Sequence, residues 1–267
     1  MEKINSSKKI ALIGTGNVAW HLAIAFENAG HVITDVYSRK KENATDFSKA
    51  LYHAEPTDAL DFKKSTAEVF IMAVSDDAIE TLAQNLQLPA NAILAHTSGA
   101  AGLNQLGYSN TENTGVFYPL QTFSKHKKVN IESVLICIEG TNTDTETKLS
   151  VLAKSISSNV QLINSEKRKS IHLAAVFACN FANHMFTLSK ELMNHQGLDF
   201  ELLKPLIAET LNKSLEVGPD NAQTGPAKRN DLETLDKQHK ALNNDPEVAE
   251  LYRLISQHII NYYSEGE

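Results

Sequence analysis

The chain has 267 residues, of which 42% are hydrophobic and 21% are charged, with a net charge of −7 and a pI near 5.8. These values are typical of a globular protein with room for two domains. The acidic balance argues against nucleic acid or an anionic membrane surface as the main partner.

The first ten residues mix charges ahead of an apolar run, which does not fit a signal peptide. The longest apolar stretch, residues 171–186, is interrupted by two histidines and two asparagines, which argues against a membrane span. Cys137 and Cys179 lie in apolar surroundings without CxxC spacing, and the histidines show no ligand pattern. We therefore predict a cytoplasmic protein with reduced packing cysteines and no metal site.

An apolar run from Ile10 to Ile13 ends in a glycine turn, and a helical pattern begins at once. Gly14 permits the tight turn, Gly16 lets a pyrophosphate approach the backbone, and Ala19 keeps helix and strand close. The helix start offers free N–H groups to phosphates, and Gly30 ends the helix. This pattern predicts a dinucleotide-binding βα unit. Its predicted cofactor contacts are Gly14, Thr15, Gly16, Asn17 and Val18.

The second strand, Val32–Tyr37, indicates which dinucleotide is bound. NAD-binding folds usually place an acidic residue at the end of this strand. Here Asp35 lies inside the strand, and Ser38 and Arg39 follow its end. An arginine fork suits a 2′-phosphate better than a ribose hydroxyl, so we predict NADP. A solvated charged turn explains the two lysines that come next equally well.

Polar segments follow the next two predicted strands at the carboxyl edge of the sheet, where ligands bind in open α/β folds. We expect the first segment to lie beneath the cofactor and the second to lie beside its nicotinamide. A helix cap and a polar turn explain the same residues, and these interpretations are compatible. The predicted contacts in the two segments are Val74, Ser75, Asp76, Thr97, Ser98 and Gly99.

Strand-like and helical runs alternate up to about residue 164, which predicts a mainly parallel sheet with helices on both faces. Only helical patterns follow. We therefore predict an α/β fold: a doubly wound Rossmann domain over residues 1–164 and an all-helical substrate and dimerisation domain over 165–267. The predicted strands are Ile10–Ile13, Val32–Tyr37, Glu68–Val74, Ala92–His96, Gly115–Tyr118, Val134–Glu139 and Val160–Ile163. The predicted helices are Asn17–Ala29, Lys40–Lys49, Asp77–Asn85, Thr143–Ser157, Glu166–His195, Phe200–Val217, Leu232–Asn243 and Pro246–Tyr263.

Helix-ending and helix-starting residues support this division. Gly197 is placed to end one helix and Asp199 to cap the next, and Asp245 before Pro246 marks the start of the last. The apolar helix over 166–195 cannot be buried by about 100 residues of helices alone. This favours a homodimer through the helical domain.

Three N-terminal motifs, GTGNVA, VYSRK and AVSDDAI, resemble the N-terminal domain of pyrroline-5-carboxylate reductase and of deazaflavin-dependent NADP oxidoreductases. With YPLQTFS (118–124), HLAAVFACNFANH (172–184) and TGPAKRND (224–231), the set is similar to a bacterial family of Rossmann-like proteins with a C-terminal domain of unknown function. The resemblance implies a dimerising helical domain like that of 6-phosphogluconate dehydrogenase. Related hydroxyacid dehydrogenases have a catalytic lysine four residues before an asparagine. Here those positions hold Val176 and Cys179, so that mechanism is not transferred.

Candidate substrate-site residues come from the helical half and from the segment after the fifth predicted strand. His172 and Asn180 lie two helical turns apart on nearly the same face, which Asn183 extends, and this fits a pocket lining. For His172 taken alone, the simpler explanation is a core histidine whose hydrogen bonds are satisfied. Arg229 suits a carboxylate or phosphate clamp, whereas Asp231 suits a helix cap. The predicted catalytic residues are His172, Asn180 and Arg229, and the predicted substrate-binding residues are Tyr118, Gln121, Asn183 and His239.

These observations predict an NADP-dependent oxidoreductase that transfers a hydride to or from a small C=N or C=O substrate, with His172 orienting the substrate or donating the proton. Two alternatives stay open. One is pyrroline-5-carboxylate reductase itself. The other is a non-catalytic NADP(H)-binding sensor, which the missing lysine keeps open. A deazaflavin as hydride partner is implied by the resemblance alone.

Overall fold

A computed structural model describes residues 7–125 and 127–264. These residues form two compact units, one ending at Cys179 and the other beginning at Asn180. The first unit contains the sheet, and the second is helical.

The sheet of the first unit has eight strands in the order β3-β2-β1-β4-β5-β6-β7-β8. All neighbours pair in parallel except β6 and β7, which are antiparallel. The four residues of β4 and the four of β5 are all buried, as expected for parallel strands covered on both faces. The strands are β1 Lys9–Ile13, β2 Val32–Tyr37, β3 Glu55–Thr57, β4 Val69–Met72, β5 Ile93–His96, β6 Thr114–Pro119, β7 Ile136–Gly140 and β8 Val160–Leu162.

Helices connect these strands, and their ends follow the signals in the sequence. Gly30 adopts φ +88° directly after the C-cap of the first helix, a conformation that glycine takes without strain. The Asn142 side chain caps the fourth helix by accepting a hydrogen bond from the Thr145 N–H at 2.9 Å. The helices of this unit are α1 Asn17–Asn28, α2 Lys41–Ser48, α3 Asp76–Asn85, α4 Thr143–Lys154 and α5 Ser165–Ala175.

The second unit begins within a continuous helical segment. A π-helical stretch, Val176–Phe181, joins α5 to α6. Asp199, Asp231 and Asp245 accept hydrogen bonds from backbone N–H groups at the starts of later helices, so the caps predicted at 199 and 245 are confirmed. The helices are α6 Ala182–His195, α7 Lys204–Val217, α8 Pro219–Ala222, α9 Leu232–Ala241 and α10 Pro246–Ser264.

The α/β fold class predicted from the sequence is confirmed, and one detail differs. The edge strand β3 was not predicted, because three residues with a proline show no alternation. The compact units divide inside the long helical segment, at 179/180, whereas the predicted domain boundary at 164/165 stays a prediction. Arg168 is fully buried and joins α5 to the sheet through an ion pair with Glu139.

Cys137 is buried, as predicted, but Cys179 is exposed among the described residues and is not a packing residue there. The segment Ser165–His195 contains an 18-residue window with a mean hydropathy of 1.2, and none of that window is buried within the described chain. By length and composition alone it is able to cross a membrane, which is weak evidence for a span. Its exposed apolar residues include Leu173 and Leu192.

Candidate functional site

The glycine turn lies between the ends of β2 and β4. The Gly14 N–H donates to the carbonyl oxygen of Tyr37 at 2.9 Å, and Gly14 adopts φ +117°. A Cβ at this position would lie 2.2 Å from the carbonyl oxygen of Ala73. Only glycine combines this conformation with this approach.

Gly16 has the opposite environment, because a Cβ there would meet no atom within 4 Å. It is the N-cap of α1, which has no side-chain cap and no acidic residue in its first turn. The N–H groups at the helix start are therefore open to an anion. Open space at Gly16 beside uncapped N–H groups fits the phosphates of a dinucleotide.

The end of β2 borders this turn, since β2 pairs with β1. The Ser38 N–H donates to the carbonyl oxygen of Thr57 at 3.1 Å, and Arg39 is exposed. Asp35 instead accepts hydrogen bonds from the hydroxyls of Thr34 at 2.7 Å and Ser65 at 2.6 Å. The only acidic residue of this strand is thus engaged within the fold, and the side chains beyond its end are a hydroxyl and a cation.

The segments after β4 and β5 lie at the same edge of the sheet. Ser75 is the N-cap of α3 without a side-chain cap bond, so Asp76 and Asp77 lie in the first turn and do not cap the helix. The Ser98 hydroxyl accepts hydrogen bonds from the N–H groups of Ala100 and Ala101, at 3.1 and 2.9 Å, and closes a polar turn. Thr97 is also buried, and Val74 is half-buried.

Tyr118, the fifth residue of β6, meets His172 of α5. The Tyr118 hydroxyl lies 3.0 Å from Nδ1 of His172, and the two rings meet edge to face with centroids 5.9 Å apart. Gly99 adjoins both, since a Cβ there would lie 2.6 Å from Nδ1 of His172 and 2.7 Å from Cζ of Tyr118. The structure therefore joins three of the predicted site residues in one cluster.

The electrostatics of this cluster determine its protonation. Burial raises the pKa of Tyr118 to about 12, with the neighbouring Cys137 adding to the shift and the positive charge of Arg168 opposing it. The phenol is consequently protonated at neutral pH. Its hydroxyl shares a hydrogen bond with Nδ1 of His172, and the histidine tautomer sets which of the two donates.

Arg168 holds the parts of this cluster together. Its guanidinium is fully buried, pairs with the Glu139 carboxylate, and donates to the carbonyl oxygen of Ala101 at 2.5 Å. The Ser165 hydroxyl donates to the same carboxylate at 2.8 Å. The loop after β5, strand β7 and helix α5 thus meet at one buried ion pair. This pair was not predicted, because Arg168 lies within the charged run SEKRKS, which is typical of a solvated helix face.

The remaining predicted site residues are exposed or lie in the second unit. Gln121 is exposed and accepts a hydrogen bond from the Thr122 N–H at 2.8 Å. Asn180, Asn183 and Arg229 are exposed, and His239 is half-buried. The π-helical stretch interrupts the 3.6-residue spacing on which the common face of His172 and Asn180 was predicted. The common face of these two residues therefore stays a prediction.

A pocket of about 350 Å³ lies within the second unit. Apolar side chains of α6, α9 and α10 line it, including Leu188, Leu235 and Ile255. Pro226 and Ala227 of the predicted TGPAKRND segment also border it, whereas Arg229 and His239 are not among its lining residues.

Two family models match the chain. Residues 9–98 match the family described as NADP oxidoreductase coenzyme F420-dependent, and residues 134–259 match a domain of unknown function (DUF2520). No curated protein matches the chain in sequence. A crystal structure of a putative NADP oxidoreductase from Bacteroides fragilis is 37% identical, with a TM-score of 0.88, and the match covers 96% of this chain and 98% of that one. The chain belongs to this two-domain family.

More distant structures share the fold. A reductive aminase from Aspergillus terreus in complex with NADPH and ethyl levulinate is 14% identical with a TM-score of 0.70, and the match covers 96% of this chain and 95% of that one. A pyrroline-5-carboxylate reductase from Coxiella burnetii is also 14% identical, with a TM-score of 0.56, covering 97% of this chain and 98% of that one.

Proposed function

We propose that this member of the family is an NADP-dependent oxidoreductase that transfers a hydride between the nicotinamide cofactor and a small C=N or C=O compound. The observation that carries the proposal is the hydrogen bond between Tyr118 and His172, beside Gly99. It sets two proton-handling groups next to the loop after β5, at the sheet edge where ligands bind in open α/β folds.

The chain's own residues have two tasks in this proposal. The first is to hold the cofactor, whose nicotinamide supplies the hydride. The glycine turn and the start of α1 would bind the pyrophosphate through backbone N–H groups, and Ser38 and Arg39 would bind a 2′-phosphate. The segments that follow β4 and β5 would border the rest of the cofactor.

The second task is to deliver one proton to the substrate heteroatom as the C=N or C=O bond is reduced. Loss of the Tyr118 proton alone would leave a costly buried phenolate, because the pKa of this phenol is about 12. A relay avoids this charge. The Tyr118 O–H proton passes to the substrate while Nδ1–H of a protonated His172 returns a proton to the phenol oxygen. His172 ends neutral and then takes up a new proton from the solvent.

The cofactor assignment is tested at Arg39. Replacing Arg39 with Asp puts a negative charge where we place the 2′-phosphate, so NADPH affinity should fall by more than tenfold while NADH affinity changes little. Titration of both cofactors against the wild type and R39D measures this. Equal effects on the two cofactors would refute the assignment to NADP.

The reaction is tested by following NADPH oxidation with a panel of cyclic imines, 2-oxo acids and a deazaflavin. Y118F is the matched variant, since it removes one oxygen and keeps the ring. It should bind NADPH like the wild type and lose at least tenfold in turnover. Proline formation from pyrroline-5-carboxylate would support the narrower assignment as that reductase. Tight NADPH binding with no turnover across the panel would favour the sensor alternative instead.

Other predicted site residues enter this proposal as substrate contacts. Arg229 and Asn180 stay catalytic candidates, and Gln121, Asn183 and His239 stay substrate-binding candidates. An arginine fork suits a carboxylated substrate. R229A should raise the apparent KM for such a substrate, and an unchanged KM for every substrate found would remove Arg229 from the site.

We also propose that the protein is a homodimer through its helical unit. Helix α7 has no buried residue among those that the structure describes. The leucines near and along it are exposed, at 66% for Leu202, 63% for Leu206 and 86% for Leu215. In aqueous solution, proteins normally keep an apolar surface of this size covered. A second copy provides such cover. Sedimentation that gives a monomer at micromolar concentration would remove this part of the proposal.

A further inference from the structure

The segment after β6 carries a lysine that the proposed function does not use. Nζ of Lys125 donates to the carbonyl oxygen of Thr15, in the middle of the glycine turn, at 2.9 Å, although 110 positions separate the two residues. The same ammonium lies over the rings of Trp20 and Phe47, at 5.6 and 5.9 Å from their centroids. A neutral acceptor and two aromatic faces therefore hold this cation at the turn.

The segment is also fixed on α1 at a second place. Nε2 of His21 lies 2.9 Å from the carbonyl oxygen of Ser124, and its ring centroid is 5.0 Å from that of Phe123. His21 directly follows Trp20 in α1. The position of Lys125 is thus set by its backbone as well as by its ammonium group, unlike that of an ordinary surface lysine.

A polar pocket of about 340 Å³ adjoins Lys125 between the glycine turn and α2. Asn43, in the first turn of α2, lines it, and α2 begins two residues after Arg39. Since β2 is the neighbour of β1, this is the side of the turn on which Arg39 lies. The pocket also contains Asp46, whose carboxylate pairs with Lys49 at 2.7 Å. Among the described residues that line it, the charged ones are therefore Lys125 and this paired carboxylate.

We propose that Lys125 is a third contact of the cofactor's 2′-phosphate, together with Ser38 and Arg39, and that it contributes to the preference for NADP(H) over NAD(H). This inference rests on the proposed function. An ammonium has three donors, of which the bond to Thr15 uses one. A phosphate oxygen is a stronger acceptor for the others than a neutral carbonyl, because charge-assisted hydrogen bonds are roughly twice as strong as neutral ones.

The test is the affinity of NADPH and NADH for the full-length wild type, K125M and K127M, measured by calorimetric titration. Methionine keeps an unbranched apolar chain on Trp20 and removes the charge, and K127M is the matched control on the same segment. K125M should lose about tenfold in NADPH affinity and less than about twofold in NADH affinity, the loss expected for one hydrogen bond to a charged group. K127M should lose neither, and K125R should retain the preference for NADPH.

Each other outcome is decisive. Equal losses of NADPH and NADH in K125M would place the ammonium on the pyrophosphate and overturn the inference, as would no loss of either. A wild type that prefers NADPH, combined with a K125M variant that keeps the full preference, refutes the role of Lys125 alone. A wild type that binds both cofactors equally refutes the proposed NADP preference and this inference together.

Discussion

Tyr118 and His172 lie 54 positions apart in the chain, yet the phenol oxygen and Nδ1 of the imidazole are 3.0 Å apart and Gly99 packs against both rings. The small size of Gly99 is what lets this pair form beside the loop after β5. A methyl group there would lie within 2.7 Å of each ring.

Replacing Gly99 with Ala should therefore push the two rings apart. Overpacking of this kind costs about 1–3 kcal/mol, which urea unfolding measures. The bond between Tyr118 and His172 should weaken at the same time, so turnover in any NADPH-linked assay should fall in G99A as it does in Y118F. A G99A protein with the stability and turnover of the wild type would contradict the close packing described above.

The two glycines of the turn should respond differently to the same substitution. G14A combines φ +117° with a Cβ 2.2 Å from the Ala73 carbonyl oxygen, so it should lose about 3 kcal/mol or fail to fold. The methyl group of G16A meets no atom within 4 Å. The free energy of unfolding of this variant should therefore lie within about 0.5 kcal/mol of that of the wild type. Its methyl group would nevertheless occupy the space that we assign to the pyrophosphate. Thermal shift with NADPH separates the two effects, and undiminished NADPH binding by G16A would remove the phosphate from this position.

The buried pair of Arg168 and Glu139 should show strong coupling. R168M leaves the Glu139 carboxylate without its partner and should cost about 3–5 kcal/mol in the free energy of unfolding. The double variant R168M/E139Q removes both charges, so it should be more stable than R168M alone. Chemical denaturation of the wild type, R168M, E139Q and the double variant completes the cycle. Additive losses would show that the two charges do not interact in solution.

His96 should make stability depend on pH. It is fully buried, and burial lowers its pKa from 6.5 to about 4, with the charge of Arg168 adding to the shift. The unfolded chain therefore binds this proton more readily, so stability is fully present above pH 6.5 and is lost as pH falls toward 4. The contribution is about 3 kcal/mol, from 1.36 kcal/mol per pKa unit.

H96N is the matched variant, because an amide oxygen can still accept the hydrogen bond that the Ser98 N–H donates to Nδ1 at 3.2 Å. Urea midpoints between pH 4 and 7 should fall less steeply for H96N than for the wild type. Parallel slopes for the two proteins would assign the acid sensitivity to other groups.

Local signals in the sequence predicted most of the fold. Glycine at position 30 and the aspartates at 199 and 245 mark helix ends because backbone conformation and capping depend on single residues. Strand β3 escaped prediction because it consists of three residues and is fixed by pairing with β2 rather than by its own pattern.

The candidate site was only partly predictable, since its contacts join distant segments. The sequence indicated Tyr118 and His172 separately, but nothing in it shows that they touch. Lys125 and Arg168 lie in charged runs typical of exposed segments. Their positions are set by tertiary contacts, of Lys125 with Thr15 and of Arg168 with Glu139. A π-helical stretch also interrupts the regular spacing from which a common face of His172 and Asn180 was predicted.

The contrast between the turn and its surroundings has a consequence for how this protein could be re-engineered. Gly14 is locked against Ala73, so this position of the turn offers no freedom to change. Arg39 and Lys125 are exposed and lie outside the hydrophobic core clusters. Substitutions there remove no core packing. A library confined to these two positions and Ser38 could therefore change the preference between NADPH and NADH while leaving the folding of the protein intact.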